Sequence, residues 1–268
     1  MPALLYEKRD GVAYITFNRP DVHNAWNPEA MARLADAMKD FGEDESLRCA
    51  IVTGAGDKAF SVGADLGTLI PVLTGARKAE DEWDERVIAD RSITKYALVR
   101  GFKMYKPIIA AINGFCLAGG MEFVQATDIR IAAEHASFGL SEPKRGLVPA
   151  GGSMVRLVRQ IPYCKAMEIL LTGDRISAQE AHRIGLVNYV VPPDEVMPMA
   201  EKFARAIADN GPLAVQAIKE TAIRSSGLPL NEGYKVETEC ADAVMKSQDA
   251  IEGPRAFMEK RKPQFTGR

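Results

Sequence analysis

Two glutamates and two glycine pairs stand near the middle of the chain, in an arrangement suited to moving protons beside a developing negative charge. In Leu117-Ala-Gly-Gly-Met-Glu122, the pair Gly119-Gly120 directly precedes a segment of helical character, residues 121–126. Glycines at a helix start let backbone approach backbone, and the first N–H groups of a helix have no partner inside it. The helix dipole adds partial positive charge at that end, so these N–H groups favour an anion. Glu122 lies one short step into the helix. Glu142 follows in Phe138-Gly-Leu-Ser-Glu-Pro143, and after it comes the glycine-rich Pro149-Ala-Gly-Gly-Ser153. Oriented donors with two carboxylates predict a site that stabilises an oxyanion and transfers protons next to it. Each part also has a plainer use, since a glycine pair serves as a packing joint and a first-turn glutamate as a dipole partner. The chemistry rests on the combination.

The elements that must position these groups are short. An apolar run, Ile108-Ile-Ala-Ala-Ile112, ends in Asn113-Gly114 and reads as a buried strand entering a turn. Earlier, residues 4–7 and 12–17 flank Asp10-Gly11 as a β-hairpin. Asn27 caps a helix with Pro28 at its first position and Met31, Leu34, Ala35, Met38 and Phe41 on its apolar face. Residues 49–53 form a buried strand. From 66 to 105 the chain changes character, and 77–91 is dense with charge, as in a solvated helix or a covering flap. Downstream, 128–132 and 186–191 read as strands, and 151–158 and 165–171 as helices separated by Pro162. Ser177-Ala-Gln-Glu180 is a capping box opening a helix that Gly185 ends. The remainder alternates helical stretches with stops at Gly211-Pro212, Gly227 and Gly253-Pro254. No internal repeat is visible. The reading is an α/β body over 1–195 and an all-helical region over 196–268.

Composition narrows the function. A chain of 268 residues can bury a sizeable core, and a net charge of −2 with a pI near 6.0 argues against nucleic acid as a partner. Cys49, Cys116, Cys164 and Cys240 are scattered, which predicts reduced thiols in an intracellular protein. His23, His135 and His182 share no metal-ligand spacing, so no metal is expected. The start, Met1-Pro-Ala-Leu-Leu-Tyr-Glu, reaches charge too early for a secretory signal, and no apolar run approaches the ~20 residues of a membrane span. A soluble, cytoplasmic protein without a membrane partner is expected. Two rival motifs fail. Gly54-Ala-Gly56-Asp-Lys-Ala59 matches a loose dinucleotide pattern but opens no helix. No Gly-x-Ser-x-Gly elbow is present for a serine hydrolase.

A third stretch raises the specificity. Lys58-Ala-Phe-Ser-Val-Gly-Ala-Asp-Leu66, Gly114-Phe-Cys-Leu-Ala-Gly-Gly-Met-Glu-Phe123 and Phe138-Gly-Leu-Ser-Glu142 with Gly146-Leu-Val-Pro-Ala-Gly-Gly152 together resemble the enoyl-CoA hydratase/isomerase (crotonase) family. The resemblance continues through Leu171-Thr-Gly-Asp-Arg-Ile-Ser-Ala-Gln-Glu-Ala181, Gly185-Leu-Val187 and the tail Ala256-Phe-Met-Glu-Lys-Arg-Lys262, so it covers nearly the whole chain in order. It implies a crotonase-like ββα spiral with a C-terminal helical trimerisation region, and a homotrimer or dimer of trimers. It also implies an acyl-CoA thioester as substrate, with CoA part of that substrate and no separate cofactor.

The resemblance implies roles residue by residue. Backbone N–H groups of Ala64 and Gly119 form the oxyanion hole. Glu122 and Glu142 both fall on hydratase positions, whereas the family's isomerases typically keep only the second. Glu122 is then the base for the attacking water, and Glu142 the donor of a proton to the α-carbon. Two neighbouring carboxyls do not ionise together easily, so one charged and one protonated form is the expected resting state. Val22, His23, Ala64, Asp65 and Leu66 are implied CoA contacts, and Phe257 and Lys260 are implied to reach CoA, often that of a neighbouring subunit. Two departures stand out: Gly67 replaces a lysine common in the family, and the 65–107 span, which walls the acyl pocket in the family, is longer than in short-chain hydratases. Other enolate reactions of the family, isomerisation among them, and a non-catalytic acyl-CoA-binding protein stay open as alternatives to an enoyl-CoA hydratase.

Overall fold

The computed structural model describes residues 1–268. The chain opens with the hairpin of β1 (Leu4–Arg9) and β2 (Val12–Phe17), turned at Asp10 and Gly11, whose φ values of 51° and 74° suit a tight hairpin turn. Asn27 caps α1 (Pro28–Glu43), its side chain accepting the Ala30 N–H at 2.9 Å, and Met31, Leu34, Met38 and Phe41 are buried as the apolar spacing predicts. Then follow β3 (Cys49–Gly54), β4 (Ala59–Ser61), and the short helices α2 (Leu69–Thr74), α3 (Glu82–Ala89) and α4 (Ser92–Ala97). Next come β5 (Ile108–Ile112), β6 (Phe115–Leu117), α5 (Gly119–Val124), β7 (Ile129–Ala133) and β8 (Ser137–Gly139). The body is completed by α6 (Ser153–Gln160), α7 (Tyr163–Thr172), β9 (Ile176–Ser177), α8 (Ala178–Arg183) and β10 (Tyr189–Val191), and α9 (Val196–Ala208) to α12 follow it.

The strands form two sheets. One has six strands in the order β1-β2-β3-β5-β7-β10, parallel except for the hairpin; the other has four, β4-β6-β8-β9, parallel except for β9. Three successive passes, β3 to β4, β5 to β6 and β7 to β8, each give one strand to the large sheet and the next to the small one. That alternation is the α/β spiral. Parallel strands covered on both faces read as unbroken apolar runs, and every residue of β5 is fully buried. Predicted helix and strand ends moved by a few residues: α6 begins at Ser153, and β10 only at Tyr189.

The charge-rich 66–105 stretch is an anchored helical layer. Leu69, Val72, Val87, Ile93 and Ala97 are buried, and α3 and α4 pack on α1. Arg77 reaches across to the buried carboxylate of Asp84 at 2.8 Å. α9 buries Val196, Ala200 and Ala204 against β3, β5 and β7. By contrast α10 (Pro212–Ser225), α11 (Leu230–Met245) and α12 (Gln248–Met258) bury few side chains and leave Ile218, Leu230, Met245, Ile251 and Phe257 exposed. No helix is long and apolar enough to cross a membrane.

Candidate active site

The small sheet carries the site, because β4 and β6 run side by side and the chain leaving each reaches one of the two candidate donors within three residues. Beyond β4, the Trp26 N–H donates to Gly63 C=O at 2.8 Å and the Asp65 N–H donates to Trp26 C=O at 2.9 Å. In such a parallel bridge the residue between the two bonded neighbours makes no bond to its partner, so the Ala64 N–H is left free of Trp26. Beyond β6, Ala118 adopts φ 47°, ψ −127°, a conformation that costs a non-glycine residue energy and that sets the direction of the next amide, Gly119 N. The two loops touch without side chains between them. A Cβ on Gly63 would lie 2.4 Å from Gly119 N, and one on Gly119 would lie 2.8 Å from the Trp26 ring. Gly120 is as tightly held, since its Cβ would stand 2.3 Å from Ser61 C=O.

Glu122, 5% exposed, points from the first turn of α5 into the glycine-rich 151–153 turn. The Ser153 N–H donates to its Oε1 at 3.2 Å, and a Cβ on Gly151 would lie 2.7 Å from its Oε2. Burial raises its pKa above the ordinary 4.5, while hydrogen bonds from Ser153, Gly151 and Gly152 oppose that rise. Behind it Gln125 Nε2 donates to Ser153 Oγ at 2.8 Å, both side chains being buried. Arg156 lies on the other side, donating to Leu98 C=O at 3.0 Å and Val99 C=O at 2.5 Å, so the end of α4 is pinned next to the carboxylate. Leu98 itself packs against Gly151.

Glu142 begins a 3-10 turn after β8 and lines a cleft of about 420 Å³ together with Ala64, Leu117, Ala118, Val22 and Leu66. Its Oε2 is buried without a hydrogen-bond partner in the protein. Burial first, and the negative charge of Glu122 second, push its pKa up to about 7. The structure thus puts Ala64 and Glu142 in one lining; Gly119 lies behind it against Gly63, and Glu122 is not part of the lining but stands near enough for its charge to act on Glu142.

The CoA candidates divide. Val22, Ala64, Asp65 and Leu66 line the cleft. Asp65 is already committed: Arg19 donates to its Oδ2 at 2.9 Å, the Gly67 N–H to its Oδ1 at 2.9 Å, and these bonds hold its carboxyl low against the burial that would raise it. Its contribution to the cleft is structural. His23 sits in a left-handed turn (φ 53°) with its ring 5.9 Å from Phe115, outside the lining. Phe257 and Lys260 are exposed and are not part of the cleft lining. No group of three or more His, Cys, Asp or Glu side chains is placed to hold a metal.

Sequence reasoning missed several contributors. Asn24, almost fully buried, ties the 19–26 loop by accepting the Arg19 N–H at 2.9 Å and donating to Ala59 C=O at 2.7 Å. Ser153 stood in the glycine-rich stretch without a role of its own, and Gln125 and Arg156 carried no signal at all. Arg145 and Arg175 also line the cleft.

The family model for enoyl-CoA hydratase/isomerase matches residues 7–268. The chain belongs to the enoyl-CoA hydratase/isomerase family. It is 43% identical over 267 residues to enoyl-CoA hydratase EchA19 of Mycobacterium tuberculosis, covering all of this chain and 97% of that relative. It is 38% identical to the (E)-benzylidenesuccinyl-CoA hydratase of Thauera aromatica, with both chains fully covered. Among solved structures, an enoyl-CoA hydratase from Mycobacterium tuberculosis superposes with a TM-score of 0.87 at 38% identity, again over all of both chains. Family membership makes this an enzyme fold of the hydratase/isomerase type, and the two-sheet spiral with helices at its C-terminus is the crotonase fold.

Proposed function

We propose that the protein is an enoyl-CoA hydratase, adding water across the 2,3 double bond of a 2-enoyl-CoA. The observation that carries this reading is the second carboxylate: Glu142 lines the same cleft as the Ala64 amide and feels the charge of Glu122. An isomerisation needs one proton-shuttling carboxylate, whereas hydration needs one to activate water and one to deliver a proton.

Glu122, whose charge backbone amides of the 151–153 turn favour, serves as the base, and Glu142, with an unpartnered buried oxygen and a pKa pushed up to about 7, is the acid below that pH. Glu122 takes a proton from water as the water oxygen bonds to C3. The π electrons move through C2 onto the thioester oxygen, where the Ala64 and Gly119 amides meet the new charge. Removing one such donor typically costs ~2.7–4 kcal/mol. The enolate collapses as C2 takes the Glu142 proton, giving a 3-hydroxyacyl-CoA. Val22 and Leu66 flank the thioester's CoA portion, and His23 borders it; CoA arrives as part of the substrate. Assembly as a homotrimer or dimer of trimers, through the 196–268 helices, belongs to the same reading and covers their exposed apolar residues. So does a cytoplasmic location.

The test is loss of the conjugated-thioester absorbance on incubation with crotonyl-CoA and with longer and aryl enoyl-CoAs. Turnover to 3-hydroxyacyl-CoA supports the reading. Double-bond migration without water addition would assign an isomerase, and tight binding without turnover of any ester a non-catalytic binder.

A further inference from the structure

The mouth of the cleft carries charge that the chemistry above does not use. Arg145 and Arg175 both line it, both are exposed, and neither makes an ion pair or a side-chain hydrogen bond anywhere in the protein. Their chain neighbours behave differently. Lys144 is paired with Asp174, which ties the turn after β8 to the approach to β9 and sets the two arginines on adjoining segments. Asp65, the other carboxylate at this end, is neutralised by Arg19. Arg175 is also positioned, its guanidinium lying 5.2 Å from the centroid of the Phe115 ring. A stacked guanidinium keeps its edge N–H groups free for an anion and loses less freedom on binding one. Two uncompensated cations thus stand at one opening of a protein whose net charge is −2.

We infer that Arg145 and Arg175 form an anion subsite that holds phosphate groups of the CoA portion of the substrate. This deepens the acyl-CoA reading and rests on it. Position decides which anion is meant. The reacting end is buried around Glu122, while Arg145 and Arg175 share the outer part of the cleft with exposed Val22, Leu66 and Gly67. Phosphates are strongly hydrated and lie most cheaply at such a rim, where guanidinium forks match their geometry.

The experiment is calorimetric titration of the full chain with CoA and, separately, with pantetheine, which shares the thiol arm but has no phosphate. Wild type is compared with Arg145→Gln, Arg175→Gln and the double variant; thermal melting checks that these surface changes leave the fold intact. Each single change should weaken CoA binding about three- to tenfold, and the double change more, with pantetheine binding unchanged. The salt dependence of CoA binding should flatten in the double variant. Unchanged CoA affinity overturns the proposal, and so does an equal loss for pantetheine, which would make the arginines part of the cleft's shape. If only thioesters of dicarboxylic acids lose affinity, the anion is an acyl carboxylate and the proposal is wrong. CoA is not turned over, so the titration reads the subsite separately from hydratase activity. CoA binding with no hydration leaves this proposal standing and removes the reaction assignment alone.

Discussion

Glu122 and Glu142 are the same side chain in two surroundings, and the surroundings divide the work. Burial acts on both, but only Glu122 has amides from three consecutive residues aimed at it. The pH dependence follows with a definite sign. Glu142 must deliver a proton and its pKa is pushed up to about 7, so hydration should decline as pH rises through that value. The same raised pKa favours the native state fully below the ordinary 4.5, and that contribution is lost as pH rises through about 7. Glu122→Gln retains size but cannot accept the water proton, so hydration should fall by about 10²–10⁴. It also removes the charge that raises Glu142, so the midpoint for Glu142-dependent α-proton exchange should move to lower pH. Deuterium wash-in across a pH series, followed by mass spectrometry, measures this. An unshifted midpoint and near wild-type hydration would reduce Glu122 to a helix-start residue. Both glutamates were legible in the sequence because glycine pairs mark their neighbourhoods. The partners that set their charges were not, since Ser153, Gln125 and Arg156 become informative only once α6 is folded against α5.

At the scale of elements, the site depends on how closely α5 lies on β4. Gly119-Gly120 was readable as either a packing joint or an anion site, and the structure makes it both: Gly120 permits the contact with Ser61, and Gly119 presents its amide beside Gly63. The strained Ala118 that aims this amide carried no signal, because alanine gives no warning of a positive φ. Gly120→Ala should force α5 away from Ser61 C=O, costing about 1–3 kcal/mol in urea unfolding and lowering activity in the folded protein as well. Gly67→Ala is the contrasting case, as its new methyl would meet only Asp65 Oδ1 at 3.5 Å; stability should stay within about 0.5 kcal/mol. Equal stability of both variants would mean that α5 has room to shift without consequence. The 66–105 stretch shows where reading by charge falls short. Its charges are real, but the apolar Leu69, Val87 and Ile93 beneath them fasten it to the core, while Leu66 and Gly67 at one end line the cleft and Leu98, Val99 and Arg100 at the other meet the 150–156 segment beside Glu122.

For the whole molecule, the α/β class and the helical ending were legible because strand and helix periodicities alternate and then give way to helices alone. The spiral itself was not visible as a repeat. Its three passes share a direction of travel between the sheets but no residue pattern, and their connections differ from a few residues to the whole 62–107 span. The tail also leaves apolar side chains exposed, Ile218, Leu230, Met245 and Ile251 among them. Phe257 is 81% exposed at the end of α12, whereas Ala256 beside it is fully buried. An aromatic held outward on an anchored helix suits contact with another copy. If Phe257 and Lys260 serve a neighbour's CoA, a chain ending at Gly253 should bind CoA esters more weakly and sediment as smaller species. Because that truncation also removes buried Ala256, Phe257→Ser with Lys260→Gln is the gentler version. It should lower affinity for the CoA ester while leaving the melting temperature near wild type. Light scattering alongside the binding titration reads both effects, and a monomer with full affinity and full activity would show that each site is complete within one chain.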